Sequence, residues 1–304
     1  MSLTTASSFN PILSEALNKI GDNKFVGTQI LPVRNAPFKN GDYPVFDADQ
    51  FDLDASKPRS AGSTFSRRDF NYSKQSYQCV QYALEGVLPD EDENQAKDDG
   101  ITDAAGAIAQ KLQRDLMVGH ERRVAAAING AAFNGTAATQ AMSHANATPI
   151  KDIQDAVERL NANGFYDNLA LIIELSLFNE LINTSDVRGI FNGNGQYTNR
   201  QIIRDALGVQ DIIICPTRFN SANKGAAASR TKIFSDSHYF VAQIAGGDYS
   251  NGGIGRTIAY APGGGVFSAE TYRDEPIKSD VLRVLNTVDE VIINTNAGEK
   301  ITGA

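Results

Sequence analysis

The chain has 304 residues, of which 41% are hydrophobic and 21% charged, and its formal net charge is −8. This composition is typical of one large or two ordinary globular domains and excludes a disordered chain. With 36 acidic residues against 28 Lys and Arg, tight binding of duplex DNA through phosphate neutralisation is not expected. Confinement of DNA behind an acidic wall is compatible with the same balance.

Two further classes are not expected from the sequence. It holds no run of 18 apolar residues, which a membrane-spanning helix needs. Its first residues lack the basic and then apolar pattern of a signal peptide.

Cys79 and Cys215 lie far apart and are interpreted as buried thiols in a reducing compartment.

The first 84 residues predict an arm and then a long loop. Residues 1–35 are interpreted as the arm, with a short amphipathic helix at Pro11–Ile20 and an extended segment at Phe25–Val33. Residues 36–84 are interpreted as two antiparallel strands of a long loop. The outgoing strand is acidic, and the tip, DASKPRSAGS, has the small residues of a turn.

The returning strand of this loop, FSRRDFNYSKQSYQC, interleaves aromatic and basic side chains. They are Phe65, Phe70, Tyr72, Tyr77, Arg67, Arg68 and Lys74. Such a pattern fits a platform for single-stranded nucleic acid, where bases stack and cations meet phosphates. It also fits a ribbon whose rings are covered by another subunit, because a two-stranded ribbon alone is marginal in water. Pairing with the acidic strand is a third reason for the cations.

A long helix is the clearest predicted element. Between about residues 102 and 129, apolar side chains recur at steps of three and four, and Ile108, Leu112 and Leu116 are assigned to its buried face. Thr102 is the predicted N-cap. The acidic run DEDENQAKDD just before it is expected to favour the positive end of the helix dipole.

The remainder predicts an α/β unit and then strands. Residues 148–255 alternate helices, at Pro149–Asn163, Leu177–Asn183 and NRQIIRDALG, with the apolar strands LALIIEL and VQDIIICP. The segments after residue 255, such as RTIAYAP and KSDVLRVLNTVDEVIINT, read as strands. The chain is therefore assigned to the α+β class.

No catalytic, metal or cofactor site is predicted. The histidines, His120, His144 and His238, have no ligand at metal-binding spacing, and His120 is expected on the surface of the long helix. The glycine clusters lack the Lys and Ser/Thr of a phosphate loop, and no serine lies in a nucleophile elbow. An enzyme is therefore not expected.

The order of these elements resembles the major capsid proteins of tailed bacteriophages, which have the Hong Kong 97 fold. The similarity is carried by YALEGVLPDEDENQA leading into the long helix, by the pair Arg122–Arg123 late in that helix, and by LALIIELSLFNELINTSDVRGIF with IIRDALGVQDIIICPTRFNSANKG after it. The closing YRDEP and VDEVIINTNAGEKI are also similar to the family.

The resemblance implies a domain organisation. Residues 1–35 would be the N-terminal arm, 36–84 the extended loop, 85–147 with 256–304 the peripheral domain around the long helix, and 148–255 the axial domain. The aromatic and basic residues of the returning strand would then form a contact with a neighbouring subunit.

The resemblance also implies a function and partners. The chain would form hexamers and pentamers of a head shell around double-stranded DNA, without cofactors, after synthesis in a bacterial cytoplasm. A portal would take part, scaffolding would come from a separate protein or be absent, and decoration proteins are left open. The alternatives are an encapsulin-type compartment of the same fold and an enzyme of unknown chemistry.

Overall fold

The structure is a computed structural model that describes residues 8–9, 25–45, 60–64, 72–98, 103–191, 200–223, 225–246, 253–261 and 266–303. The predicted helix at residues 11–20 lies outside these ranges. The predicted extended segment at Phe25–Val33 is wrong in part, because Gly27–Ile30 forms one helical turn. Phe25, Val26, Ile30 and Leu31 are buried in the chain's own core, which favours a compact turn over an extended strand at this point.

The helices are α1 (Gly27–Ile30), α2 (Asp90–Asp98), α3 (Ala104–Gly130), α4 (Pro149–Ala162), α5 (Leu175–Asn183), α6 (Ser185–Phe191) and α7 (Arg200–Leu207). The strands are β1 (Ser8–Phe9), β2 (Val33–Ala36), β3 (Asn40–Val45), β4 (Ser73–Gln78), β5 (Val80–Pro89), β6 (Asn134–Ala137), β7 (Leu169–Glu174), β8 (Asp211–Cys215), β9 (Arg218–Asn220), β10 (Arg230–Lys232), β11 (His238–Gln243), β12 (Gly255–Tyr260), β13 (Phe267–Asp274), β14 (Ser279–Ile292) and β15 (Gly298–Thr302).

One sheet is built around the long strand β14. Its order is β1-β13-β14-β12-β2, and β5 pairs with β14 in antiparallel register from Ser279–Pro89 to Val288–Val80. Helix α3 packs on this sheet through an apolar cluster that includes Leu88, Ala109 and Leu116. A helix of this length, about 40 Å, gives the sheet a rigid support along its whole face.

The second sheet carries the α/β unit. Its order is β6-β15-β11-β7-β8, with β7 and β8 parallel, and every residue of β7 is buried. Helix α4 covers it with Ile153, Ala156 and Leu160, as its periodicity predicted. The predicted strands and helices of this unit are confirmed, and Gly208, at φ 72°, ends α7 in the left-handed region that glycine tolerates.

Some strands cross the predicted domain limits. Strands β6 and β15 fall in the ranges predicted for the peripheral domain, yet they pair with the strands of the α/β unit. The limits at 84/85 and 255/256 fall inside the continuous strands β5 and β12. The hydrogen-bonded ladders continue through these points, so no break in either strand marks a domain boundary there. The division into domains stays a prediction.

The start of the long helix differs from the prediction. The N-cap is Asp103, whose side chain accepts a hydrogen bond from the Gly106 amide at 2.7 Å, so the assignment of Thr102 was wrong. The acidic run DEDENQAKDD does not continue into this helix. It forms the separate helix α2, with four acidic residues in its first turn, so its carboxylates face the dipole of α2.

Candidate subunit-contact surface

The base of the long loop is a two-stranded ribbon. Strands β3 and β4 pair in antiparallel register, and the hydroxyl of Tyr43 donates to Gln75 Oε1 at 2.7 Å. Asp42 lies opposite Ser76, and Lys74 lies opposite Pro44, so the directly opposed positions do not pair charges here. The predicted contact residues Phe65, Arg67, Arg68 and Phe70 lie outside the described residues.

This base is anchored to its own subunit. Tyr77 and Cys79 are buried together with Tyr43, Val45 and Ile258. The Tyr77 hydroxyl donates to the carbonyl of Phe38 at 3.2 Å. Side chains of β4 alternate between two faces, and Tyr77 lies on the face that packs against Ile258 of β12. Tyr77 therefore packs in its own chain, and its assignment to a neighbour-facing position was wrong. Burial, together with nearby Asp289, raises the pKa of the Cys79 thiol to about 11, which keeps the thiol protonated and unreactive.

The outer side of the ribbon and of β5 exposes apolar side chains. Their exposed fractions are 69% for Phe38, 49% for Tyr72, 49% for Val80 and 49% for Val87. Lys74 is also exposed. Within the described residues β5 pairs with β14 alone, so the other edge of this ten-residue strand is open. An open strand edge beside exposed apolar side chains is a surface that a partner chain stabilises by covering it.

The residues predicted for the face of the long helix lie on the sheet side. Leu116 is buried, at 7% exposure, while Ile108 and Leu112 are partly buried against the same cluster. They pack on the backbone of β5 at Gly86, where a Cβ would lie 2.5 Å from Ile108 Cγ2. Glycine is needed at this position because strand and helix approach too closely for a side chain.

A buried polar cluster, which sequence reasoning missed, joins the long helix to β14. Glu290 accepts from Arg123 Nε at 3.0 Å and lies 2.7 Å from His120 Nδ1. Burial alone would raise the pKa of Glu290, but His120 and Arg123 beside it hold that pKa below its ordinary value. The guanidinium of Arg123 also stacks over the Tyr82 ring of β5, 3.7 Å from its centroid.

His120 was therefore predicted wrongly as a surface residue, since it is 4% exposed. Its neighbour Glu121 is fully buried and accepts hydrogen bonds from the amides of Val26 and Gly27. Burial raises the pKa of Glu121, and this carboxyl ties α1 to the long helix. The chain offers no local signal for these pairs, because their partners lie about a hundred or more residues apart.

The described residues hold no group of three His, Cys, Asp or Glu side chains placed to bind a metal ion. Ser176 lies 2.7 Å from Lys232 Nζ, a pairing that resembles a nucleophile and its base. Asp236 raises the pKa of Lys232, so this amine stays protonated and cannot accept a proton from the serine. Among the same residues no helix has the length and apolar character needed to cross a membrane.

Comparisons with known proteins identify the fold. No family model and no curated protein matches the chain. A phage-related protein from Bordetella bronchiseptica RB50 superposes with a TM-score of 0.77 over 99% of both chains, at 18% identity. A virus-like particle from Pyrococcus furiosus gives 0.60 over 95% of this chain and 97% of that one, at 12% identity. The capsid of cyanophage P-SCSP1u gives 0.57 over 90% and 86%, also at 12% identity. The chain has the fold of phage capsid proteins.

Proposed function

We propose that this chain is the major capsid protein of a tailed bacteriophage. It assembles into pentamers and hexamers of an icosahedral head shell that encloses double-stranded DNA. The observation that carries the proposal is the superposition on the phage-related protein over 99% of both chains, because the whole described fold, and not one part of it, is shared with that protein. The role is structural, and the chain acts through repeated contacts and not through a catalytic group.

The exposed surface of the ribbon supports this role. Phe38, Tyr72 and Val80 flank the strands of the ribbon and are exposed to solvent in an isolated chain. Burying such side chains between subunits yields about 25 cal/mol per Å² of apolar area. The outer part of the loop, with Phe65, Arg67, Arg68 and Phe70, continues this contact onto the neighbouring subunit. Weak contacts of this kind add up when they are repeated around a closed shell.

The proposal extends to location and partners. The chain is made in the host bacterial cytoplasm and becomes part of the virion. A portal occupies one vertex and decoration proteins are left open, while a separate scaffolding protein, where one takes part, assists an assembly that the chain can also carry out alone. The net charge of −8 favours a shell that confines its DNA through a closed wall over one that binds it tightly.

A second candidate is an encapsulin-type compartment that encloses protein. The likeness to the virus-like particle from Pyrococcus furiosus concerns the fold alone and does not separate this candidate from the first. Expression of the chain alone, followed by sedimentation and electron microscopy, tests whether it forms shells. Particles of shell size support both candidates, and a chain that stays monomeric contradicts both. The contents of particles isolated from cells that carry the natural gene separate them: particles filled with DNA support the capsid, and particles filled with protein support the compartment.

A further inference from the structure

Strands β9 and β10 form a hairpin that is basic in an acidic chain. From residue 212 to residue 235 there is no Asp or Glu, while Arg218, Lys224, Arg230 and Lys232 all occur there. In the hairpin register Arg218 lies directly opposite Lys232, and Arg230 lies opposite Asn220. Like charges directly opposed across a ribbon destabilise it unless an anion lies nearby.

One of these cations is satisfied within the subunit. Lys232 Nζ lies 2.8 Å from Asp236 and 3.5 Å from Glu174. Arg218 and Arg230 are exposed, and neither has a carboxylate partner among the described residues. On the opposite side of the hairpin the exposed guanidinium of Arg122 stacks over the Phe219 ring, 4.2 Å from its centroid. This stacking holds the hairpin against the long helix, so its arginines are carried on a fixed support.

The same chain carries a complementary acidic surface. Glu91 and Asp98 of α2 are seven residues apart, so they share one face of that helix, two turns from each other. Both are exposed, and neither has a partner in the part of the chain that the structure describes. Asp98 is the last residue of α2, where the negative end of the helix dipole disfavours a carboxylate. A cation bound there would be attracted both by the carboxylate and by the helix dipole.

The two surfaces are far apart within one subunit. Strand β5 runs beside α3, with Tyr82 under Arg123 and Gly86 under Ile108. Helix α2 begins directly after β5, eight residues beyond Tyr82, which is about 26 Å of strand. The hairpin packs at the Arg122 end of α3 and α2 at the other end, so the charges of these surfaces are not satisfied by each other within one chain.

We propose that the β9–β10 hairpin docks on helix α2 of a second copy of this chain, with Arg218 and Arg230 facing the side of α2 that carries Glu91 and Asp98. The inference rests on the proposed function and names one contact of the shell. The contact joins two different surfaces, so it is head-to-tail, and a rotation that closes gives a ring. A ring of this kind is what a pentamer or hexamer requires. Charge complementarity at its edges selects the correct neighbour.

A charge-swap experiment on the full chain tests the contact. The hairpin variant carries Arg218→Glu and Arg230→Glu, the helix variant carries Glu91→Arg and Asp98→Arg, and a third variant combines all four changes. A matched control for the hairpin variant, Lys111→Glu with Lys151→Glu, makes the same change in net charge as that variant at exposed positions of α3 and α4. Circular dichroism and thermal unfolding establish that each chain is folded. Sedimentation then measures the fraction of the chain in shell-sized particles, and the nucleic acid content of nuclease-treated particles is measured alongside.

The expected result is that the hairpin and helix variants each lose most of their particles, while the combined variant and the control retain them. Normal particles from the hairpin variant would contradict the proposed contact but not the proposed function. Particles that form normally but contain less nucleic acid would assign the arginines to DNA and overturn the contact. Failure of the combined variant to recover would show that the two surfaces are not partners. A wild-type chain that forms no particles would remove the proposed function, and the contact with it.

Discussion

At the scale of single residues, Glu290 is a buried carboxylate that contacts two side chains of the long helix, His120 and Arg123. It is 7% exposed, and both of its oxygens accept from Arg123, while His120 lies against one of them. Removing one member of a buried, paired group leaves the others without compensation, which costs more than the pair contributes. The cluster therefore holds the long helix on β14 specifically, in one register.

Glu290→Gln is expected to lower the free energy of unfolding by about 3 kcal/mol, because Arg123 and His120 lose their carboxylate. Urea unfolding of the dissociated subunit measures it. Glu85→Gln is the matched control, since Glu85 pairs with Arg283 on the surface, and its cost is expected to be about 0–1 kcal/mol. Equal costs for both variants would mean that the buried cluster contributes no more than a surface pair.

The same substitution predicts a dependence on pH. The pKa of Glu290 is lower in the folded chain, so its stabilisation is present above the ordinary glutamate pKa of about 4.3 and is lost as pH falls through the lower folded value. The difference between wild type and Glu290→Gln should therefore shrink as the pH is lowered below about 4.3. A difference that stays constant over that range would show that the carboxylate charge is not responsible.

Gly86→Ala is expected to destabilise the subunit by about 1–3 kcal/mol, because the added Cβ would overlap Ile108 and Leu112. Gly135→Ala, in β6, is the control, since nothing lies within 4 Å of the position of its Cβ. Thermal unfolding of both variants compares them. A loss of similar size at Gly135 would point to backbone conformation in general and not to the close approach of strand and helix.

At the scale of secondary-structure elements, the long helix was predictable and its surroundings were not. Its apolar side chains recur at the helical period, and this local pattern predicts both the helix and the face that carries Leu116. Thr102 was predicted as the N-cap, and the cap is Asp103; both residue types cap helices well, so cap preference alone does not choose between neighbouring positions. The buried cluster was not predictable, because Glu290 lies 167 residues from Arg123 and nothing in the local sequence of either marks the pairing.

Leu116→Ala is expected to cost about 2–5 kcal/mol, because the side chain is buried in the cluster between α3 and the sheet. Leu112→Ala should cost less, since Leu112 is only partly buried. Denaturant unfolding of the two variants gives the comparison. A larger loss at Leu112 would mean that the helix is rotated relative to the sheet.

At the scale of the whole molecule, the described base of the ribbon combines buried and exposed aromatic side chains. This base belongs to the subunit, because Tyr77 and Cys79 are buried against Ile258. The alternation of side chains along β4 shows which residues share a face. It does not show which face packs on the subunit's own sheet, and for this reason Tyr77 was predicted to contact a neighbouring subunit. The exposed Tyr72 and Phe38 remain for a partner.

The change of Arg67 and Arg68 to Glu together is expected to leave the subunit folded and to impair its assembly. These arginines belong to the returning strand predicted from the sequence, which we propose contacts a neighbouring subunit. Each exposed charge pair contributes about 0–1 kcal/mol, but the loss is repeated at every contact of a shell. Circular dichroism and sedimentation of the double variant measure both properties. Normal shells would remove these arginines from the contact, and a misfolded chain would place them in the subunit's own core.

The proposed shell is tested most directly by cryo-electron microscopy of particles formed by the purified chain. The predicted result is a closed icosahedral particle built from pentamers and hexamers, in which the subunit fits with its ribbon lying across the adjacent subunit. A chain that remains monomeric at assembly concentrations, or particles in which the ribbon contacts only its own subunit, would contradict it.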